Sequence, residues 1–152
     1  MRLDYHMLKN IEKDDHTAGK ALHVRDIMSE KVITVSLNNT VKETLKILFD
    51  NGISGAPIMS RDGKIEGLVS SLDLLVASGL RQFDIRLHEL SGTLAVRKEV
   101  FHIYEDEPVK NALILIVTKR IGRVIVLDRS EHLAGIVTRK DIMKYYLEML
   151  NL

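Results

Sequence analysis

Apolar residues along the chain follow two spacings in turn, one typical of strands and one typical of helices. Residues 31–35 (KVITV) are rich in β-branched side chains, which predicts a short strand. In the next stretch apolar residues recur at positions i, i+4, i+7 and i+8, which predicts an amphipathic helix. Thr40 and Glu43 have the spacing of a capping box at its start, and Gly52 is placed to end it. The expected buried face of this helix consists of Val41, Leu45, Leu48 and Phe49.

A hairpin and a second helix follow. Residues 56–59 (APIM) and 64–69 (KIEGLV) predict two strands, and the Asp-Gly in the SRDG between them is a strong hairpin signal. Residues 70–79 (SSLDLLVASG) predict a helix that Ser70 opens and Gly79 stops. The order of elements is therefore β-α-β-β-α.

The whole pattern then occurs a second time, 68 residues further along the chain. Residues 67–73 read GLVSSLD and residues 135–141 read GIVTRKD. The second copy predicts a strand at 100–104, a helix at 108–119, strands at 123–127 and 133–137, and a helix at 138–150. Each copy is too small to bury its apolar face alone, so we expect two packed copies of one supersecondary unit. The identities that align without a gap are Val32 with Val100, Val41 with Val109, Lys42 with Lys110, Leu45 with Leu113, Ile53 with Ile121, Arg61 with Arg129, Gly67 with Gly135, Val69 with Val137 and Asp73 with Asp141.

These boundaries divide the chain into four parts. Residues 1–23 form an N-terminal extension, 24–79 the first unit, 80–92 a connector and 93–150 the second unit. We expect the connector to be partly helical around Leu87 and Leu90.

Composition excludes several classes of protein. The formal net charge of +1 provides no global field that would favour nucleic acid or an anionic membrane. The absence of cysteine removes disulfides, cysteine-based zinc sites and thiol nucleophiles. No apolar run approaches the roughly 18–20 residues that span a bilayer, and the N-terminus lacks a signal-peptide pattern. We expect a soluble cytoplasmic protein with no membrane span.

Motifs of catalysis and of metal binding are also missing. The six histidines have no metal-ligand spacing, and no Gly-rich phosphate loop occurs. A nucleophile, a base and an orienting acid cannot be assembled from the motifs in the sequence. We therefore expect no enzyme, no metal and no required cofactor.

The duplicated pattern resembles the CBS domain family, and two such domains in tandem resemble a Bateman module. The residues that carry the resemblance are VRDIMS leading into KVITV, GAPIM before the hairpin, and the phrase Gly-aliphatic-aliphatic-Ser/Thr-x-x-Asp after it. The resemblance implies a mixed fold, α/β or α+β, with two β-α-β-β-α units related by a pseudo-twofold axis and packed sheet to sheet. It also implies two clefts that bind adenosine-containing ligands such as AMP, ADP, ATP or S-adenosylmethionine.

The repeated phrase has two interpretations. Ser70 with Asp73, and Thr138 with Asp141, can each be a hydroxyl N-cap followed by an acid in the first helical turn, which requires no ligand. The same helix N-terminus can bind phosphate, and the carboxylate one turn further on can accept hydrogen bonds from ribose hydroxyls. The two roles are compatible.

The resemblance further implies that the phrase of one copy shares a cleft with the strand edge of the other. The expected ligand contacts of the first cleft are Leu68, Ser70, Asp73, Phe101, Ile121 and Arg123. Those of the second cleft are Met28, Ile33, Ile53, Ser54, Ile136, Thr138 and Asp141. Arg123 is expected to bind phosphate, although a solvated charge at the strand edge remains the alternative for it.

The sequence thus predicts a non-enzymatic regulatory module that senses an adenine nucleotide. The alternatives are a constitutive dimerisation scaffold without ligand and a sensor of S-adenosylmethionine. The apolar residues of the helices at 70–79 and 138–150 exceed what one face can bury, which predicts a homodimer. A regulated enzyme or transporter is the expected partner.

Overall fold

The computed structural model describes Lys9 and residues 22–79, 81–91, 93 and 95–151, so most of the predicted N-terminal extension lies outside the described residues. Contacts group these residues into two units, and from here on the first unit and the second unit mean these two groups. The first unit comprises Val32–Val100 with Glu131–Leu133. The second comprises the described residues within Met1–Lys31, together with Phe101–Ser130 and Ala134–Leu152.

The described helices and strands match the predicted order closely. They are α1 (Val24–Ile27), α2 (Val41–Asp50), β1 (Gly55–Met59), β2 (Ile65–Ser70), α3 (Ser71–Ser78), a 3-10 helix (Leu87–Leu90), β3 (His102–Tyr104), α4 (Val109–Lys119), β4 (Arg123–Leu127), β5 (Leu133–Thr138) and α5 (Arg139–Met149). The predicted mixed α and β fold class is confirmed. None of these helices is long and apolar enough to cross a bilayer.

Helix α2 begins and ends as its sequence predicts. Thr40 Oγ1 accepts the amide N–H of Glu43 at 3.1 Å, and Glu43 Oε2 accepts the amide N–H of Thr40 at 2.9 Å, so the capping box is complete. Gly52 follows the helix with φ of 61°, in the left-handed region that glycine reaches without strain.

The predicted buried face of α2 is wrong at one position. Val41 and Leu48 are buried, but the Phe49 side chain is 86% exposed. Thr44, which was not predicted to be buried, is fully buried and donates its hydroxyl to the Thr40 carbonyl at 2.8 Å. At 100° per residue Phe49 lies about 80° from Val41 on the side away from Thr44, so it faces solvent.

The strand predicted at 31–35 is also not formed as such. Only Val35 pairs with β1, by donating to the Pro57 carbonyl at 3.0 Å and accepting from the Met59 amide at 2.9 Å. The chain turns directly afterwards, because Asn39 Oδ1 accepts the Ser36 amide N–H at 2.8 Å. The equivalent segment of the second unit forms β3, which pairs in parallel with β4.

The hairpin of the first unit is antiparallel, with Ala56 opposite Val69 and Pro57 opposite Leu68. Its turn places Gly63 at φ of 81°, as the Asp-Gly signal predicts. In the second unit the strand order is β3-β4-β5.

Each unit has its own apolar core. In the first unit the 3-10 helix contributes Leu87, fully buried, and Leu90, so the predicted helical part of the connector is confirmed. In the second unit α1 contributes the fully buried Val24. Val24 donates its amide to the Glu107 carbonyl at 2.8 Å, so the beginning of the first predicted repeat, 24–79, packs with residues of the second.

Candidate functional site

The repeated phrase forms a strand end and a helix N-terminus in both units. In the first unit Ser70 is the N-cap of α3, and its hydroxyl accepts the Asp73 amide N–H at 3.1 Å. The Asp73 carboxylate does not complete a capping box with Ser70. The predicted cap is confirmed, and it leaves the carboxylate of Asp73 uncommitted to its own helix.

The second copy differs in how its carboxylate is used. Thr138 is the N-cap of α5, and its hydroxyl accepts the Asp141 amide N–H at 3.3 Å. Asp141 Oδ2 in return accepts the Thr138 amide N–H at 2.7 Å and the Thr138 hydroxyl at 2.9 Å. The capping box is therefore reciprocal here, and only Oδ1 of Asp141 stays outside it.

The glycine that opens each phrase is needed for contact with another segment of the chain. A Cβ on Gly67 would lie 2.7 Å from the Arg97 carbonyl oxygen, and one on Gly135 would lie 2.7 Å from the Ser29 carbonyl oxygen. Arg97 pairs with Leu68 through two backbone hydrogen bonds of 2.8 and 3.0 Å. Ser29 pairs with Ile136 in the same way, at 2.9 and 3.0 Å.

Arg97 brings a cation to the first phrase. Its Nη2 lies 3.2 Å from Asp73 Oδ2, and the two side chains are 64% and 22% exposed, respectively. Oδ2 is buried at the atomic level yet accepts no hydrogen bond from the described residues. The contact is therefore an ion pair that leaves the hydrogen-bonding capacity of this oxygen unused.

The other predicted contacts within the first unit differ in their contacts and burial. The Ser54 carbonyl accepts the Ser71 amide N–H at 2.8 Å, which holds the loop before β1 against the start of α3. Leu68 is half-buried, and Ile53 packs against the first core. Ile33, by contrast, is 37% exposed.

The second unit contains the remaining predicted residues. Met28 lies against Gly135, since a Cβ there would be 2.8 Å from the Met28 Sδ, and this places Met28 beside Ile136. Ile121 packs against the second core. The Phe101 ring stacks under Lys119, whose Nζ lies 4.9 Å from the ring centroid.

Arg123, the predicted phosphate ligand, begins β4 in a half-buried position. Burial lowers the pKa of its guanidinium from the ordinary value, because the charged form loses hydration. An arginine in such surroundings stays protonated at neutral pH and interacts strongly with any anion that reaches it.

The predicted ligand contacts are thus divided between the units. The first unit holds Ile33, Ile53, Ser54, Leu68, Ser70 and Asp73, and the second holds Met28, Phe101, Ile121, Arg123, Ile136, Thr138 and Asp141. Their grouping across the two repeats stays a prediction. Arg97 was not among the predicted contacts. The repeat spacing of 68 residues could have indicated it, because it aligns Arg97 with Ser29 and so shows a charged residue in one copy where the other has a neutral one.

Among residues 22–79, 81–91, 93 and 95–151, no group of histidines and carboxylates has the arrangement of a metal site.

The chain matches a known protein family over most of its length. The family model described as CBS domain matches residues 24–79 and 92–148. Among solved structures, the CBS domain pair of protein MJ0100, in complex with 5′-methylthioadenosine and S-adenosyl-L-methionine, is 31% identical, with a TM-score of 0.71 over 86% of this chain and 99% of that chain. Protein MJ1004 from Methanocaldococcus jannaschii is 26% identical, with a TM-score of 0.74 over 84% of this chain and 60% of that chain.

Two curated relatives are considerably longer than this chain. Protein MJ1232 of Methanocaldococcus jannaschii is 30% identical over 143 residues, which cover 94% of this chain and 46% of that protein. A homoserine O-acetyltransferase of Methanosarcina acetivorans is 30% identical over 119 residues, which cover 78% of this chain and 21% of the acetyltransferase. The chain thus spans less than half the length of either relative.

Proposed function

Because the chain belongs to the CBS domain family, we propose that it is a non-enzymatic regulatory module that binds an adenosine-containing ligand. The observation that carries the proposal is the repeated helix N-terminus with a hydroxyl cap and a carboxylate in the first turn. The two carboxylates have oxygens that no capping bond uses, Oδ2 of Asp73 and Oδ1 of Asp141. The ligands in the MJ0100 structure, both adenosyl compounds, support the ligand class.

Asp73 and Asp141 are proposed to accept hydrogen bonds from the 2′ and 3′ hydroxyls of ribose. Ribose presents two adjacent donors, and a carboxylate is the side chain that accepts both. Ser70 and Thr138 position these carboxylates through their caps. The residues proposed to contact the adenine are Ile33, Ile53, Leu68, Ile121, Ile136, Met28 and Phe101. Ser54 is proposed to contact a polar atom of the ligand, and Arg123 to bind the phosphate of a nucleotide.

The ligand is proposed to be an adenine nucleotide, with S-adenosylmethionine as the second candidate. The nucleotide is favoured by the cations near the candidate residues, Arg97 and Arg123, which suit phosphate. S-adenosylmethionine is favoured by the similarity to the MJ0100 pair. Binding of either ligand would regulate a partner only through different affinities for two arrangements of the protein.

A homodimer is proposed to form through α3 and α5. On α3 the side chains of Leu72 and Val76 are 68% and 73% exposed. On α5 Met143 and Leu147 are 59% and 48% exposed, beside a groove of about 450 Å³ whose lining includes Tyr146. Exposed apolar surface of this kind is typical of interaction faces.

Titration calorimetry of the wild type, Asp73→Asn and Asp141→Asn with AMP, ATP, 5′-methylthioadenosine and S-adenosylmethionine tests the proposal. A hydrogen bond to a charged group contributes about 1.5–3 kcal/mol, so removing the charge that binds ribose should weaken binding about tenfold or more. Asp84→Asn, an exposed carboxylate of the first unit, is the matched control and should bind as the wild type does.

Two results would contradict the proposal in different ways. If the wild type gives no heat and no thermal shift with any of these ligands at millimolar concentration, the scaffold alternative is favoured. If ligand binds but both variants bind it as the wild type does, neither carboxylate binds ribose. A melting temperature lowered by several degrees in Asp141→Asn would then leave Asp141 with its capping role alone.

A further inference from the structure

The two copies of the phrase carry different electrostatic surroundings although their backbones match. Arg97 and Ser29 occupy equivalent places, each paired by two backbone hydrogen bonds to the residue that follows the glycine of its phrase. Arg97 forms an ion pair with Asp73 at 3.2 Å. The Ser29 hydroxyl instead contacts the Lys31 carbonyl at 3.5 Å, and no described cation lies within ion-pair distance of Asp141.

The ion pair at the first phrase is exchangeable. The Arg97 side chain is 64% exposed, so water screens its attraction to Asp73 and the guanidinium can turn while its backbone stays paired. Asp73 Oδ2 accepts no hydrogen bond in this arrangement, so a hydroxyl donor would bind it better than Arg97 does. A ribose can therefore replace Arg97 at this oxygen at small cost.

The displaced guanidinium must then find a new anion or return to water. The 5′-phosphate of a nucleotide is attached to the same ribose ring, so it lies within reach of an arginine side chain anchored beside Asp73. Arginine binds phosphate through two parallel N–H donors, more strongly than it binds a carboxylate oxygen without hydrogen-bond geometry. A ligand without an anionic group, such as 5′-methylthioadenosine, breaks the ion pair and provides no anion in exchange.

We propose that Arg97 makes the first phrase selective for adenosyl ligands that carry a phosphate, whereas the second phrase, with Ser29 at the equivalent place, accepts adenosyl ligands without one. This inference rests on the ligand-binding function proposed above. The two repeats would then bind ligands that differ in charge. The residue responsible, Arg97, lies outside the repeated phrase.

The test isolates the first phrase in an Asp141→Asn background and measures binding of AMP and 5′-methylthioadenosine by calorimetry. Adding Arg97→Ser, which installs the residue of the second copy, should weaken AMP binding about tenfold or more and leave 5′-methylthioadenosine binding unchanged or improved. Arg97→Gln should do the same and serves if the serine variant folds poorly. Arg97→Lys should keep most of the preference for AMP, and Lys98→Ser, which removes the adjacent exposed charge, should keep all of it.

The reciprocal experiment uses Ser29→Arg in an Asp73→Asn background, which should shift the second phrase toward AMP. The inference is overturned if Arg97→Ser changes the affinities for AMP and 5′-methylthioadenosine by the same factor, or changes neither. In that case the ribose proposal still stands as long as Asp73→Asn weakens binding. If the wild type binds neither AMP nor 5′-methylthioadenosine, this inference fails, and the proposed function fails as well only if ATP and S-adenosylmethionine also do not bind.

Discussion

Substitution of Gly67 by alanine tests whether the glycine of the repeated phrase serves the pairing of Arg97 with Leu68. The new Cβ would lie 2.7 Å from the Arg97 carbonyl oxygen, closer than such atoms approach, and this oxygen belongs to the backbone. It is also the acceptor of the Leu68 amide at 2.8 Å, so the segment must move away and both hydrogen bonds of the bridge weaken.

The expected cost follows from these two bonds. Each contributes about 0.5–1.5 kcal/mol net, so losing both costs about 1–3 kcal/mol. Alanine restricts the unfolded chain relative to glycine and returns about 0.4–1 kcal/mol. The net loss of about 1–2 kcal/mol in the free energy of unfolding should lower the melting temperature by about 2–8 °C for a chain of this size.

Gly122→Ala is the matched control. Its Cβ would lie 3.4 Å from Nη2 of Arg139, the far end of a flexible side chain, and its φ is not positive. We expect Gly122→Ala to melt at the wild-type temperature or slightly above it. Thermal and urea unfolding of both variants, with hydrogen exchange at the amides of Leu68 and Arg97, would measure the difference. Equal stability of the two variants, with wild-type protection at both amides, would show that the pairing of Arg97 with Leu68 does not require glycine at position 67.

Three further predictions concern a cap, the proposed dimer and acid stability. Thr138→Ala removes the N-cap of α5 and should cost about 1 kcal/mol in urea unfolding, while an unchanged midpoint would show that the cap contributes little. Leu72→Glu, at a side chain 68% exposed, should convert the proposed dimer to a monomer by light scattering; a monomeric wild type at tens of micromolar would contradict the dimer. The hydrogen bond from Arg129 is the main reason that the pKa of Asp106 is lowered from its ordinary value of 3.8. The ionised Asp106 therefore stabilises the folded protein above the ordinary pKa, and this stabilisation is lost as the pH falls through the lowered pKa. Asp106→Asn should therefore make unfolding less dependent on pH below about 4, and an unchanged acid profile would contradict this.

Features encoded by neighbouring residues could be predicted from the sequence. The Thr40 capping box, the Gly63 turn and the Ser70 and Thr138 caps depend on side chains within three or four residues of one another, and all of them are confirmed. The elements of the second repeat could be predicted from those of the first, because the two repeats align without a gap at a spacing of 68 residues.

Features that depend on distant partners were harder to predict. Phe49 is apolar and near the expected stripe, yet its exposure depends on where the first core lies relative to α2. Residues 31–35 have strand propensity, but only Val35 pairs with β1. Arg97 lies 24 residues after Asp73 in the sequence, and only the fold brings its guanidinium to that carboxylate.

The packing of α1 in the second unit has a consequence for how the chain folds. Val24 is fully buried there, and Ser29 pairs with Ile136 more than a hundred residues later. The first unit is continuous over Val32–Val100 apart from a short return at Glu131–Leu133, so most of it can form as soon as that stretch has been synthesised. The second unit must close a chain around that whole stretch, and loop closure costs more as the enclosed chain lengthens, by about 0.6 kcal/mol for each doubling. A folded first unit shortens the loop that must be closed, so we expect the first unit to form earlier and the second to complete folding only when the segment around Val24 returns to it.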